Sequence, residues 1–233
     1  MTDVIAERLA LTQLTQKLGV DIDPELLSLA LTHRSWAYEN GQVPHNERLE
    51  FLGDSVLGQA VTVRLFTGHP ELEEGALAKR RASVVSTVAL AEIARGIELG
   101  IHLRLGRGED LTGGRDKDSI LADTMEAVIG ATYLSAGPDA ATGLVLRLVE
   151  PLLADPERYG AAMDPKTSLQ ELAARSGVQP PAYSVSSTGP DHDRRFTATV
   201  AVGDVTAQGG GSSKKAAEMA AALRAWQELS GRA

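Results

Sequence analysis

Apolar residues recur at intervals of three and four through most of the first two-thirds of the chain. The segments Val4–Leu18, Pro24–Ala37, Glu47–Leu65, Glu74–Ser83, Thr87–Leu99, Ser119–Leu134 and Ala140–Leu153 each carry this spacing, which predicts helix after helix. Pro24 suits the first turn of its helix, with Asp23 as the cap. Gly and Pro fall mostly between the periodic segments, and Leu105–Asp118, rich in Gly and charge, is the longest irregular stretch. Residues 154–163 have no clear period and read as a linker. The pattern then changes. Asp164 caps a helix with Pro165 at its first position, running to about Ser176. Tyr183–Thr188, Arg195–Val202 and Asp204–Ala207 are rich in Val and Thr with partial alternation and predict short strands. Gly209-Gly210-Gly211 breaks the pattern, and Ser212 or Ser213 caps a last, Ala-rich helix to about Leu229. The prediction is multidomain: an all-α domain over 1–153, a linker over 154–163, and an α+β domain of order α-β-β-β-α over 164–233.

Composition adds a few constraints. The chain has 233 residues, of which 43% are hydrophobic but only 4% aromatic, so aliphatic side chains must fill the core. There is no Cys, which excludes disulfides and thiolate metal sites. The N-terminal segment has no apolar run long enough for a signal peptide or membrane span, and a cytoplasmic protein with no membrane partner is expected. A net charge of −8 taken alone argues against a nucleic-acid partner. The charge is uneven, however. Residues 1–163 carry 15 Lys/Arg against 24 Asp/Glu, net −9, whereas residues 164–233 carry 8 against 7, net +1. No Gly-x-Gly-x-x-Gly or Walker pattern stands between a strand and a helix, which disfavours a nucleotide-binding fold.

The candidate chemistry lies in two acidic groups. Glu47, Glu50 and Asp54 share one face of an otherwise apolar helix pattern, and Asp123 and Glu126 are three apart in a second one. None has a Lys or Arg three or four positions away. Such spacing commonly marks a solvated face. The dense apolar flanks and the repetition of the pattern favour instead two helices packed together around a cation, since the carboxylates would otherwise repel. A di-iron bundle would need Glu-x-x-His, but Gly53 and Ile129 stand at that spacing. Oxygen ligands without His suit Mg²⁺ or Mn²⁺. His33, in Thr32-His33-Arg34-Ser35, reads as a structural hydrogen-bonding residue, and no Ser/His/Asp order with a nucleophile elbow is visible.

These residues resemble the ribonuclease III family of double-strand-specific endoribonucleases. Asn46-Glu47-Arg48-Leu49-Glu50-Phe51-Leu52-Gly53-Asp54 is similar to its signature block, Ala30-Leu31-Thr32-His33-Arg34-Ser35 to the motif before it, and Asp123-Thr124-Met125-Glu126 to its second catalytic block. The C-terminal α-β-β-β-α segment resembles a double-stranded RNA-binding domain. By resemblance, Glu50, Asp54, Asp123 and Glu126 match the metal-site carboxylates, and Asp54 and Glu126 match the pair most closely tied to catalysis. Glu47 and Glu74 match secondary acidic positions. Phe51 matches an aromatic that enters the partner subunit of a homodimer formed through the nuclease domain. Trp36 departs from a common Tyr. The resemblance implies Mg²⁺-dependent hydrolysis of double-stranded RNA to 5′-phosphate and 3′-hydroxyl ends, with processing of ribosomal RNA precursors and messenger RNA as expected roles.

For RNA contact the resemblance points to Lys166, Thr167 and Gln170 on the first helix of the last domain. It also points to His192 at the tip of the loop Gly189–Asp193, and to Lys214 and Lys215 opening the last helix. A basic residue often found next is missing, because Ala216 and Ala217 follow; Arg194 and Arg195 are partial substitutes. Arg104, Arg107, Arg115, Lys117, Lys79, Arg80 and Arg81 are further candidate positive contacts in the helical domain. Two rivals remain. One is a non-catalytic RNA-binding scaffold, which has no need of all four carboxylates. The other is a helical metalloenzyme unrelated to RNA, which leaves the C-terminal segment unexplained.

Overall fold

The computed structural model describes residues 11–153, 156–190 and 194–231. The chain divides between Pro156 and Glu157 into two units. The first is wholly helical: residues 11–18 (α1), Pro24–Ala30 (α2), Arg34–Glu39 (α3), Glu47–Gly68 (α4), Glu74–Val84 (α5), Thr87–Gly96 (α6), Arg107–Leu111 (α7), Asp118–Ala136 (α8) and Pro138–Leu153 (α9). The portion of the first predicted helix before residue 11 lies outside the described residues.

Helix α8 is the centre of this unit. It packs on α4, α6, α9 and α2, and its buried residues run around most of its circumference, from Ile120 and Leu121 through Met125 and Val128 to Ile129. A helix apolar on all sides is one wrapped by others. Its closest neighbour is α4, and the approach is set by backbone. A Cβ built on Gly53 would lie 1.8 Å from the carbonyl oxygen of Glu126, and one on Gly130 would lie 2.2 Å from that of Leu49. No side chain fits at either crossing position.

The predicted helix Pro24–Ala37 is broken in the structure. Leu31–His33 leave the helix because their backbone pairs elsewhere: Arg104 N–H donates to Leu31 O (2.9 Å), His33 N–H to Arg104 O (3.1 Å) and Asn46 N–H to Thr32 O (3.0 Å). His33 then caps α3, its ring nitrogen accepting from Ser35 N–H. Apolar periodicity continues across the break and hides it. The irregular stretch Leu105–Asp118 also holds more structure than its glycines suggest, namely α7 and a 3-10 turn at Gly114–Asp116. Arg115 ties this stretch down, donating to the carbonyls of Gly100 (3.2 Å) and Leu103 (2.9 Å) and to Asp110 (2.8 Å).

The second unit contains all but the first residue of Pro156–Met163 (α10), then Pro165–Arg175 (α11), strands Ala182–Thr188 (β1), Arg195–Val202 (β2) and Val205–Gly211 (β3), and Lys214–Leu229 (α12). The sheet is antiparallel in the order β1-β2-β3. Much of the stretch read as linker is thus helix α10, and Ala161 is buried in the core of this unit beside Leu169, Val200 and Trp226. The Gly209–Gly211 run does not end the third strand but completes it. A Cβ on Gly209 would meet Ala221 N at 2.2 Å, and one on Gly211 would meet Ala217 N at 2.7 Å. The glycines let α12, itself lined by Ala217, Ala221, Ala222 and Ala225, lie directly on the strand.

The Gly53 crossing is testable. Gly53→Ala should force α4 from α8 and lower stability by about 3 kcal/mol or more, at or beyond the upper end for an overpacked core, measured by urea unfolding. Gly75→Ala, on exposed α5 with open space around it, should change stability little.

Candidate functional site

The crossing of α4 and α8 places side chains from both helices at one point. Glu50 from α4 and Asp123 and Glu126 from α8 each offer a carboxylate oxygen, and these oxygens lie within 4.8 Å of one another. All three residues are half-buried. Burial is the main force on their protonation. Burial, then the charges of Asp54, Glu50 and Asp123, push the Glu126 carboxyl up to about 8. Burial and the neighbouring charges of Asp123 and Glu47 raise Glu50, and burial raises Asp123. Asp54, one turn beyond Glu50, is outside this trio. It is exposed and lines a hollow with Thr62 and Arg81, but its charge is the largest single electrostatic influence on Glu126.

Glu50 and Asp123 of the trio line a cleft of about 500 Å³ whose walls also include Arg34, Asn46, Glu47, Glu109 and Lys117. Glu47, without a cation on its own helix, is met by Arg34 from α3 at 3.4 Å. Lys117 pairs with Glu109 at 2.5 Å. His33 borders the cleft, half-buried, with its Nδ1 2.8 Å from Ser35 Oγ, and burial holds its pKa below the ordinary value. The His33–Ser35 contact is the structural one its motif suggests. Glu74 is not brought to the trio within this chain. It lies at the start of α5 in a separate hollow with Phe66 and Leu77. Phe51 projects from α4 with 79% of its surface exposed.

Arg34, Glu109 and Lys117 were not assigned to the acidic site from sequence. Arg34 and Glu47 are 13 positions apart, beyond the reach of helical spacing, and the break at Leu31–His33 that aims Arg34 at the cleft leaves no trace in the apolar pattern. The other candidate cations of this unit are largely engaged. Arg104 lies over the Trp36 ring at 5.6 Å, Arg115 holds backbone carbonyls, Arg81 donates to Thr62 Oγ1 at 3.1 Å and Arg80 faces His69 at 3.2 Å.

In the second unit, Asp164 caps α11 by accepting from Thr167 N–H. Thr167 and Gln170 are exposed on this helix, and Lys214 and Lys215 are exposed in the first turn of α12. Lys166 is held inward. Its Nζ lies 2.7 Å from Glu218 of α12 and 4.7 Å from the centroid of the Tyr183 ring, so it braces helix to helix and helix to sheet. His192 lies outside the described residues.

Comparison with known proteins gives two family matches. Residues 23–152 match the family described as Ribonuclease-III-like, and residues 165–229 match the Double-stranded RNA binding motif. The chain is 69% identical over 227 residues to "Ribonuclease 3" of Leifsonia xyli subsp. xyli, covering 97% of this chain and 96% of that protein. It is 60% identical over 220 residues to "Ribonuclease 3" of Nocardia farcinica, covering 93% and 92%. Among solved structures, the nuclease domain of ribonuclease III from Campylobacter jejuni matches with a TM-score of 0.57 and 41% identity, over 60% of this chain and 94% of that one. A second structure of that domain, described as showing structural flexibility in a region involved in dimer formation, matches with a TM-score of 0.56 and 41% identity, over 60% of this chain and 95% of that one.

The raised Glu126 carboxyl makes a linkage prediction. Between the ordinary value of 4.5 and about 8, the metal-free folded protein keeps a proton that the unfolded chain has released. Stability must therefore fall as pH rises through that window, by at most about 1.4 kcal/mol per pH unit. Glu126→Gln should flatten most of this slope and melt above the unsubstituted protein at pH 8 in chelator, read by calorimetry across pH 5–9.

Proposed function

This chain belongs to the ribonuclease III family of endoribonucleases, and on that footing we propose that it hydrolyses phosphodiester bonds in double-stranded RNA with Mg²⁺. The products are 5′-phosphate and 3′-hydroxyl ends. The observation that carries this reading is the carboxylate trio at the α4–α8 crossing, on a chain that also carries a double-stranded RNA binding motif. The donors are carboxylate oxygens from Asp and Glu alone, and burial, then the charges of Asp54, Glu50 and Asp123, raise Glu126. Such a set fits a hard divalent cation. Glu50, Asp123 and Glu126 would hold it, with Asp54 at the open flank. Bound there, Mg²⁺, or Mn²⁺ as substitute, supplies neutralisation of phosphate charge and acidification of water.

The remaining work belongs to the chain itself. Glu126 and Asp54 serve as the catalytic carboxylates: Glu126 as a member of the trio, and Asp54 from its exposed flank, where its charge acts on Glu126. Glu47 serves in support by holding Arg34, and Glu74 is a secondary acidic residue that acts away from the trio. Thr167 and Gln170 on α11, His192 in its loop, and Lys214 and Lys215 on α12 contact A-form RNA, reading shape across the minor groove and phosphates. Lys166 contributes to this surface by bracing it.

The protein acts as a homodimer through its nuclease domain, each subunit cutting one strand. Support comes from Phe51, a large apolar side chain left exposed on the same helix as Glu50 and Asp54, and from the dimer-forming region described for the Campylobacter domain. No described helix is long and apolar enough to cross a membrane. A cytoplasmic enzyme of ribosomal RNA precursor processing and messenger RNA processing or turnover is the setting that accords with these features.

A labelled RNA duplex incubated with and without Mg²⁺ tests the proposal. Cleavage should require the metal, and Glu126→Ala should abolish it, with a loss of at least about a thousandfold, the scale of removing a principal electrostatic group, while duplex binding persists. Metal-independent cutting, or normal turnover by Glu126→Ala, would refute the reading. Phe51→Ala should shift the protein toward monomer in sedimentation at micromolar concentration.

A further inference from the structure

Asn46 occupies the cap position of α4 but does not cap it: its side chain makes no hydrogen bond to the helix N-terminus. Asn is among the preferred capping residues, so its side chain is placed for something else. It is 2% exposed, its Nδ2 has no hydrogen-bond partner among the described residues, and it lines the carboxylate cleft. A buried amide donor left unpaired is a cost to folding, and such groups call for an explanation.

Along with His33 and Ser119, an arginine and a lysine also line the cleft, Arg34 and Lys117. Each rests against a carboxylate outside the trio, Arg34 on Glu47 at 3.4 Å and Lys117 on Glu109 at 2.5 Å. The side chains of both cations remain substantially exposed, 72% and 49%, and ion pairs of this kind are weak enough to exchange. The charge of Arg34 reaches the trio itself, opposing the upward shifts of Glu50 and Asp123. The cleft therefore combines a buried amide N–H, a guanidinium and an ammonium beside the carboxylates.

We propose that Asn46, Arg34 and Lys117 form a donor set that holds an RNA phosphate next to the one being cleaved. The inference rests on the proposed cleavage of double-stranded RNA. In the free protein Glu47 and Glu109 keep the two cations in place. When RNA enters, phosphate oxygens take over from those carboxylates and satisfy the Asn46 amide, so the donor set fixes the strand relative to Glu50, Asp123 and Glu126.

The test compares Asn46→Ala, Asn46→Asp, Arg34→Ala and Lys117→Ala in the full chain, by steady-state cleavage of a duplex RNA, by the salt dependence of kcat/KM, and by thermal melting. Asn46→Ala should lower kcat/KM about tenfold, a typical consequence of losing a donor aimed at a charged group, without lowering the melting temperature. Asn46→Asp should be worse than Asn46→Ala, because it sets a negative charge against phosphate. Arg34→Ala and Lys117→Ala should each reduce the slope of log kcat/KM against log salt by about one, the mark of one lost phosphate contact. The inference falls if Asn46→Ala retains full kcat/KM, or if it loses activity and melting temperature together while the salt slopes of the cation variants stay at the unsubstituted value. If the unsubstituted chain itself fails to cut duplex RNA with Mg²⁺, the proposed function fails instead.

Discussion

The site depends on how closely two helices can cross. Glu50 and the pair Asp123 and Glu126 belong to segments more than 70 residues apart in sequence, and their oxygens meet within 4.8 Å only because α4 and α8 touch backbone to backbone. Gly53 and Gly130 are the residues that permit it. Ordinary helix pairs are held at 8–10 Å by the side chains between them. Removing those side chains at the crossing brings the carboxylates into mutual range. The same contact buries them, and burial, with the charges of Asp54, Glu50 and Asp123, produces the raised Glu126 carboxyl.

Much of this was legible in the sequence because it is written in local spacing. The helical periods of Glu47–Leu65 and Ser119–Leu134, the two acidic groups on them and the α-β-β-β-α order of the last segment all appear where expected, and the family matches agree with the motifs that carry the resemblance. What was hidden is non-local. Helix periodicity runs through Leu31–His33 without a sign that Arg104 will capture the backbone there. The partner of Glu47 comes from a different helix. Gly209–Gly211 reads as a break, because a run of glycines looks alike whether it turns the chain or admits a helix against a strand. Phe51 looks like core filler by spacing, yet it is exposed. Only the resemblance distinguished it.

The second unit solves its packing by the same means as the first. Small residues on β3 and α12 remove the side-chain layer between strand and helix, and the larger groups Trp226, Leu169 and Phe196 fill the remaining space. Lys166 shows the electrostatic counterpart. A residue type expected to face RNA is drawn onto Glu218 and the Tyr183 ring. The contact ties α11 to α12, the helices that carry the exposed Thr167 and Gln170 on one side and Lys214 and Lys215 on the other.

Backbone contact at Gly53 and Gly130 separates where the carboxylates stand from what stands there. The positions of residues 50, 123 and 126 are set by main-chain atoms, so an exchange of donor chemistry there leaves the scaffold spacing unchanged. Imidazole in place of a carboxylate at one of these positions would offer a borderline metal a softer donor on the same frame. The crossing is in this sense a mould, whose chemistry can change through side chains alone while the helices stay fixed.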